Sequence, residues 1–136
     1  GSVEANAHML QYDSVHGQLP AKVRATKTGI NVGSRSIKVI AERDPANLPW
    51  EKMGVDIALE CTGLFTSQED AGRHLTAGAK RVLVSAPASG ADLTVVYGVN
   101  HKKLHKSHKI VSDLRLLFLL LPFVHVQGEL SFNIRW

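Results

Sequence analysis

The first apolar positions along the chain recur at nearly helical spacing and predict a helix from about Glu4 to Tyr12. Three β-like runs follow, separated by glycines: AKVRAT, GINVG and SIKVIAERD. The alternation at Ile37, Val39 and Ala41 predicts a strand with one exposed face. The first third of the chain is therefore predicted to contain one helix and three strands.

A strand, a glycine turn and a helix are predicted in the middle of the chain. The apolar run from Val55 to Leu59 predicts a buried strand, after which Thr62 and Gly63 turn the chain. A helix is predicted over 67–77, with Ser67 as its N-cap and Gly78 as its C-cap. Nucleotide cofactors often bind where a strand passes through a glycine turn into a helix.

Three more strands are predicted, in KRVLVSAP, LTVVYGVN and KIVS. The unbroken apolar run from Val82 to Val84 is typical of a strand buried on both faces of a parallel sheet. A strand, helix, strand order favours a right-handed crossover and an α/β fold. Leu116 to Leu121 form an apolar run, which Pro122 ends. The run is too short for a membrane span of about 20 residues.

Composition narrows the class of protein. The chain has 136 residues, 44% hydrophobic and 21% charged, which is ordinary for one folded domain. The net charge of +4 suits phosphate-bearing ligands without requiring nucleic acid. One cysteine excludes an internal disulfide and a cysteine-rich zinc site, and a reducing compartment, the cytoplasm, is expected.

Three features suggest chemistry, and each has a simpler interpretation. Cys61 could be a reactive thiol, but we expect a small packed residue at a strand end. The sequence DSVHG could suggest an Asp-Ser-His site, but a triad is defined by geometry, and we expect a structural segment. The basic segment Asn100–Lys109 carries His101 and His105 at helical spacing for a metal, but its lysines favour a solvated surface. No metal is predicted, and nucleic-acid binding through Lys102–Lys109 is the weakest of these hypotheses.

Four stretches in order resemble phosphorylating glyceraldehyde-3-phosphate dehydrogenase, bacterial forms in particular: AERDPANLPW, GVDIALECTGLFTS, HLTAGAKRVLVSAP and YGVNH. The resemblance covers roughly Val3 to Ser112. It implies an incomplete doubly wound, Rossmann-like, mostly parallel sheet over 3–112, a partial dinucleotide-binding domain. It also implies NAD, inorganic phosphate, glyceraldehyde 3-phosphate and a homo-oligomer. No membrane association is expected.

The resemblance also assigns candidate cofactor-binding residues. Thr62, Gly63 and Phe65 match the family segment beside the adenosine and pyrophosphate half of NAD. Arg43 matches a residue near the adenine ring, where a guanidinium can stack. By the same resemblance, two residues at a strand end lie near the nicotinamide half: Ser85 and Ala86.

The sequence also departs from the family. The family's first strand and glycine-rich phosphate loop are not found, nor is its catalytic domain, and residues 113–136 match nothing in the family. The family's nucleophilic cysteine would fall at position 116, which is Leu116 here, so no catalytic residue is assigned.

Two hypotheses follow. The first is a fragment of glyceraldehyde-3-phosphate dehydrogenase, an NAD-dependent oxidoreductase of glycolysis, that is inactive as this chain alone. The alternative is a non-catalytic nucleotide-binding or assembly module. Activity in an NADH assay and the mass in solution distinguish them.

Overall fold

The computed structural model of the chain describes residues 2–113, which form two compact units that divide between Arg43 and Asp44. The first unit opens with helix α1, Val3–Gln11, whose N-cap hydroxyl, Ser2 Oγ, accepts the backbone N–H of Ala5 at 3.1 Å. The helix agrees with the prediction to within one residue at each end. It ends because Tyr12 is extended, with φ of −128°.

All strands of the first unit pair in antiparallel fashion. A short hairpin joins β1, Tyr12–Asp13, to β2, Gly17–Gln18. A three-stranded sheet has the order β3-β4-β5 and contains Val23–Ala25, Gly29–Val32 and Arg35–Lys38. Each lies within or beside one of the three predicted runs, but the third strand ends at Lys38, so Val39 and Ala41 of the predicted alternation lie outside it. Short turns join the three strands, so only antiparallel pairing is possible.

The second unit contains a four-stranded parallel sheet in the order β6-β7-β9-β8. Its strands are β6, Ile57–Glu60; β7, Arg81–Val84; β8, Leu93–Val95; and β9, Ile110–Asp113. Two short helical segments precede β6, a 3-10 turn at Pro45–Asn47 and α2 at Trp50–Met53. Another 3-10 turn, His101–Lys103, lies between β8 and β9. This is the mixed α/β architecture with a partial Rossmann-like sheet that was predicted.

Helix α3, Gln68–Thr76, connects β6 to β7 and forms the core with the sheet. The Ser67 hydroxyl accepts the Asp70 N–H at 3.0 Å, which confirms the predicted N-cap. The core residues are Ala71, Val82, Val84 and Ile110. A small residue at position 71 allows the helix to approach the valines of β7 closely.

Two predictions of burial were wrong. Ile57 and Leu59, expected in a buried strand, are 54% and 50% exposed, whereas Ala58 and Glu60 are buried. The side chains of a strand alternate between two faces, and the Glu60 face lies against α3. In β7 the same alternation buries Val82 and Val84 but leaves Leu83 half-buried. Within residues 2–113, no helix is long and apolar enough to cross a membrane.

Candidate dinucleotide site

The loops that follow β6 and β7 leave the sheet side by side. Glu60 and Val84 are partners in the parallel register, and the Ser85 N–H donates to the Glu60 carbonyl at 2.9 Å. Thr62 and Gly63 therefore follow β6 at the same edge where Ser85 follows β7. Ligands of open α/β sheets bind at this carboxyl edge of the strands.

The turn after β6 is held by the buried carboxylate of Glu60, the last residue of that strand. Oε1 of Glu60 accepts the Thr62 N–H at 2.7 Å and also accepts the Thr62 hydroxyl. The Thr62 Oγ1 in turn accepts the N–H of Leu64 at 3.1 Å. Gly63 has a φ of +75°, and a Cβ built on it would meet no atom within 4 Å. The turn is thus fixed on its inner side, and its outer side is open to a ligand.

The loop after β7 is held by a serine from β9. Ser112, which is fully buried, donates its hydroxyl proton to the Ala86 carbonyl at 2.8 Å and accepts the Ala88 N–H at 3.1 Å. Further along, the Ser89 N–H donates to the Thr66 carbonyl at 2.9 Å. The two loops are therefore joined to each other as well as to the sheet.

A polar chain lies buried behind the turn. His74 Nε2, on α3, is 3.0 Å from Glu60 Oε2, and the Trp50 indole N–H donates to His74 Nδ1 at 3.0 Å. An indole nitrogen only donates, so Nδ1 is the acceptor and we assign the imidazole proton to Nε2, which donates to the carboxylate. Burial by itself raises the pKa of Glu60, but the hydrogen bonds from Thr62 and His74 outweigh it and hold that pKa below its ordinary value.

Phe65 lies in the loop after β6, beyond the Thr62 and Gly63 turn. The guanidinium carbon of Arg73 is 6.0 Å from the centre of the Phe65 ring, within the range of a cation–π interaction. Arg73 Nη2 also contacts Asp70 at 3.1 Å. Phe65 is thereby held half-buried against α3.

The structure brings together four of the six residues assigned from the sequence, in two loops at one edge: Thr62, Gly63, Ser85 and Ala86. Phe65 lies in the first of these loops. Arg43 is exposed at the end of the first unit, and its backbone N–H donates to the Glu42 carboxylate at 2.7 Å.

The sequence reasoning missed the supporting residues Glu60, His74, Trp50 and Ser112. One signal was available, because Glu60 is a lone carboxylate that ends an apolar strand two positions before a threonine. Such a residue requires hydrogen-bond partners if it is buried. Nothing in the local sequence indicates which histidine or tryptophan supplies them.

The other candidates have simpler structural roles. Cys61 is exposed, so the expectation of a packed thiol was wrong; it follows Glu60 at the strand end and its side chain faces solvent. In DSVHG, the Asp13 carboxylate accepts the N–H groups of Val15 and His16 at 2.9 and 2.6 Å, and these bonds lower its pKa. This is the geometry of a hairpin turn.

The basic segment does not form the helix that a His101 and His105 pair requires, because its 3-10 turn ends at Lys103. Instead, His101 Nδ1 accepts the Gly98 N–H at 3.0 Å, and His105 Nδ1 lies 2.9 Å from Ser107 Oγ. Across residues 2–113, no three His, Cys, Asp or Glu side chains come together as a metal site would require.

The four-stranded parallel sheet with its crossover helix α3 defines a partial Rossmann-like α/β domain. A sequence model of the family described as "Glyceraldehyde 3-phosphate dehydrogenase, NAD binding domain" matches residues 1–68, half of the chain. The chain belongs to this family, whose cofactor is NAD.

Curated relatives agree with the family match. The glyceraldehyde-3-phosphate dehydrogenase of Xanthobacter flavus is 62% identical over 113 residues, which cover 83% of this chain and 34% of the relative. The enzyme of Cereibacter sphaeroides is 58% identical, with coverage of 83% and 33%. That of Zymomonas mobilis is 54% identical over 128 residues, 93% of this chain and 38% of the relative. The chain therefore spans about a third of the length of these relatives.

Proposed function

We propose that residues 3–112 form part of the NAD-binding domain of a glyceraldehyde-3-phosphate dehydrogenase, and that the loops after β6 and β7 contact the dinucleotide. The observation that carries the proposal is the joined pair of loops at the carboxyl edge, with an open left-handed glycine at its outer side. Residues 113–136 are proposed to lie outside this family segment, although the match to the Zymomonas mobilis enzyme, which covers 93% of the chain, extends into them.

Each of the two loops is proposed to contact one half of NAD. Thr62, Gly63 and Phe65 contact the adenosine and pyrophosphate half, where a glycine lets the backbone approach the ligand. Ser85 and Ala86 contact the nicotinamide half. Arg43 lies near the adenine ring, where its guanidinium can stack on the base.

The direct test is a titration of the full chain with NAD, followed through its backbone amide resonances. We expect the largest shifts at residues 62–65 and 85–86, and none in the hairpin at residues 12–18. ADP-ribose, which lacks the nicotinamide, should reproduce the shifts at 62–65 and not those at 85–86. Unchanged loop resonances at millimolar NAD would contradict the proposal.

The chemistry proposed for the intact enzyme is the oxidation and phosphorylation of glyceraldehyde 3-phosphate in the cytoplasm by a homo-oligomer. This chain alone is expected to be inactive, because Leu116 occupies the position of the family's nucleophilic cysteine and an aliphatic side chain forms no thioester. The test mixes the chain with aldehyde, NAD and phosphate and follows NADH absorbance. Turnover proportional to the amount of purified chain would refute the expectation.

A second candidate, a non-catalytic nucleotide-binding or assembly module, is favoured by one observation. Ile57 and Leu59 expose an aliphatic surface on β6, the strand at one end of the four-stranded sheet. If a second copy of the chain covers this surface, the mass measured by sedimentation should increase with concentration, and Leu59→Thr should lower it. A monomer at all concentrations counts against this candidate.

A further inference from the structure

We propose that Glu60 is a positioning residue for the NAD-contacting turn. We also propose that Trp50 makes His74 a hydrogen-bond donor toward residue 60, so that a carboxylate is needed at that position. The inference about NAD rests on the proposed function, whereas the inference about the turn stands on the geometry alone. Glu60 itself does not contact the ligand, and it acts through Thr62.

The donors around Glu60 require two accepting oxygens. Oε1 receives the N–H and the hydroxyl of Thr62, and Oε2 receives Nε2–H of His74. An ionised carboxylate only accepts, so it satisfies all three donors. The side chain is 3% exposed, and water is therefore a poor substitute for any of these bonds.

The tryptophan explains why the histidine cannot adapt. The Trp50 indole N–H points at His74 Nδ1, so an imidazole that carried its proton on Nδ1 would place two donors against each other. Trp50, which lies 24 positions before His74, thus selects the Nε2–H form of the imidazole. Trp50 thereby determines that the atom of residue 60 facing His74 must be an acceptor.

Glutamine at position 60 has no satisfactory orientation in this setting. If its amide nitrogen faces His74, two donors meet there; if the amide nitrogen faces Thr62, it meets the Thr62 N–H. One conflict is removed when Trp50 no longer donates, because His74 can then carry its proton on Nδ1 and accept from the glutamine amide through Nε2. The buried Nδ1–H then lacks the indole as a neighbour with which to pair, so the rescue is incomplete. Trp50→Phe should therefore partly rescue Glu60→Gln.

The experiment compares wild type, Glu60→Gln, Trp50→Phe and the double variant in the full chain. The imidazole nitrogen resonances of His74 report its tautomer, and the Thr62 amide reports the turn. We expect the Nε2–H form in wild type, a shifted and faster-exchanging Thr62 amide in Glu60→Gln, and the Nδ1–H form with a partly restored amide in the double variant. Glu69→Gln, on the exposed first turn of α3, is the matched control and should change nothing.

NAD affinity supplies the second measurement. Glu60→Gln should weaken NAD binding about tenfold, the effect expected when one charged hydrogen bond no longer holds a contact in place. The double variant should recover part of this lost affinity. If the two substitutions instead acted as independent structural defects, their losses of affinity would add.

The possible failures are distinguishable. If wild type binds no NAD, the proposed function fails, and the Thr62 amide and the His74 tautomer still decide whether Glu60 positions the turn. If Glu60→Gln is folded and leaves both the Thr62 amide and NAD affinity unchanged, the positioning role is overturned while the proposed function stands. An Nδ1–H form of His74 in wild type would also overturn it.

Discussion

The hydroxyl of Ser112 lies 2.8 Å from the carbonyl oxygen of Ala86, so a buried serine on β9 holds the loop that leaves β7. The same hydroxyl accepts the N–H of Ala88 at 3.1 Å. One side chain therefore satisfies two backbone groups in a loop that has no regular secondary structure of its own. The loop's shape depends on a strand 24 to 26 positions further along the chain.

Replacement of this serine should therefore loosen the loop. Ser112→Ala leaves the two backbone groups of the loop without their partner, which should lower the free energy of unfolding by about 2 kcal/mol. It should also weaken NAD binding if the Ala86 loop contacts the dinucleotide. Urea unfolding and an NAD titration measure the two effects. Ser89→Ala, in the same loop but exposed, should stay within about 0.5 kcal/mol of wild type; an equal loss in both variants would contradict the assignment.

Gly78 is required where α3 ends. Its φ is +103°, and a Cβ there would overlap Glu51 Cβ and lie 2.6 Å from the Glu51 nitrogen. Gly78→Ala should therefore lower the free energy of unfolding by about 3 kcal/mol, through strain and overlap together. Gly54 has a φ of +64° but an open surrounding, so Gly54→Ala should cost only about 1 kcal/mol. Thermal unfolding of both variants checks this, and equal losses would show that close approach at Gly78 does not matter.

Features decided by neighbouring residues were predictable from the sequence. The predicted helix over 67–77 and the observed one, Gln68–Thr76, differ by one residue at each end, because the Ser67 cap and the glycine stop are encoded locally. The glycine turn after β6 was likewise visible. Which face of β6 is buried was not, because that depends on where α3 packs. The bond between Glu60 and His74 spans 14 positions, and no local pattern indicates it.

Acid should weaken the hold of Glu60 on the turn. Its folded pKa is lowered below the ordinary value of 4.5, so the carboxylate stabilises the fold fully above that value. The stabilisation is lost as the pH falls below 4.5 and through the folded pKa. The difference in unfolding free energy between wild type and Glu60→Gln should therefore narrow as the pH is lowered through this window. Denaturant unfolding at a series of pH values measures it, and a difference independent of pH would show that the charge is unimportant.

Gly63 offers a direct test of ligand approach. Gly63→Ala should cost about 1 kcal/mol of stability, because φ is +75° but nothing surrounds the added methyl group. If NAD passes close to this backbone, the methyl group should also weaken NAD binding by about tenfold or more. Gly54→Ala carries the same type of strain before β6 and should leave affinity unchanged. Equal NAD affinities in the two variants would argue against contact at Gly63.

The exposed thiol of Cys61 provides a probe of the same edge without any substitution. The chain has one cysteine, and because the side chain is exposed, a thiol reagent should label one equivalent per chain without denaturant. Cys61 lies between Glu60, which holds the turn, and Thr62, which is proposed to contact NAD. Saturating NAD should therefore slow labelling, whereas free nicotinamide, which lacks the adenosine and pyrophosphate, should not. Labelling that occurs only in denaturant would contradict the exposed position, and a rate unaffected by NAD would contradict a ligand at this turn.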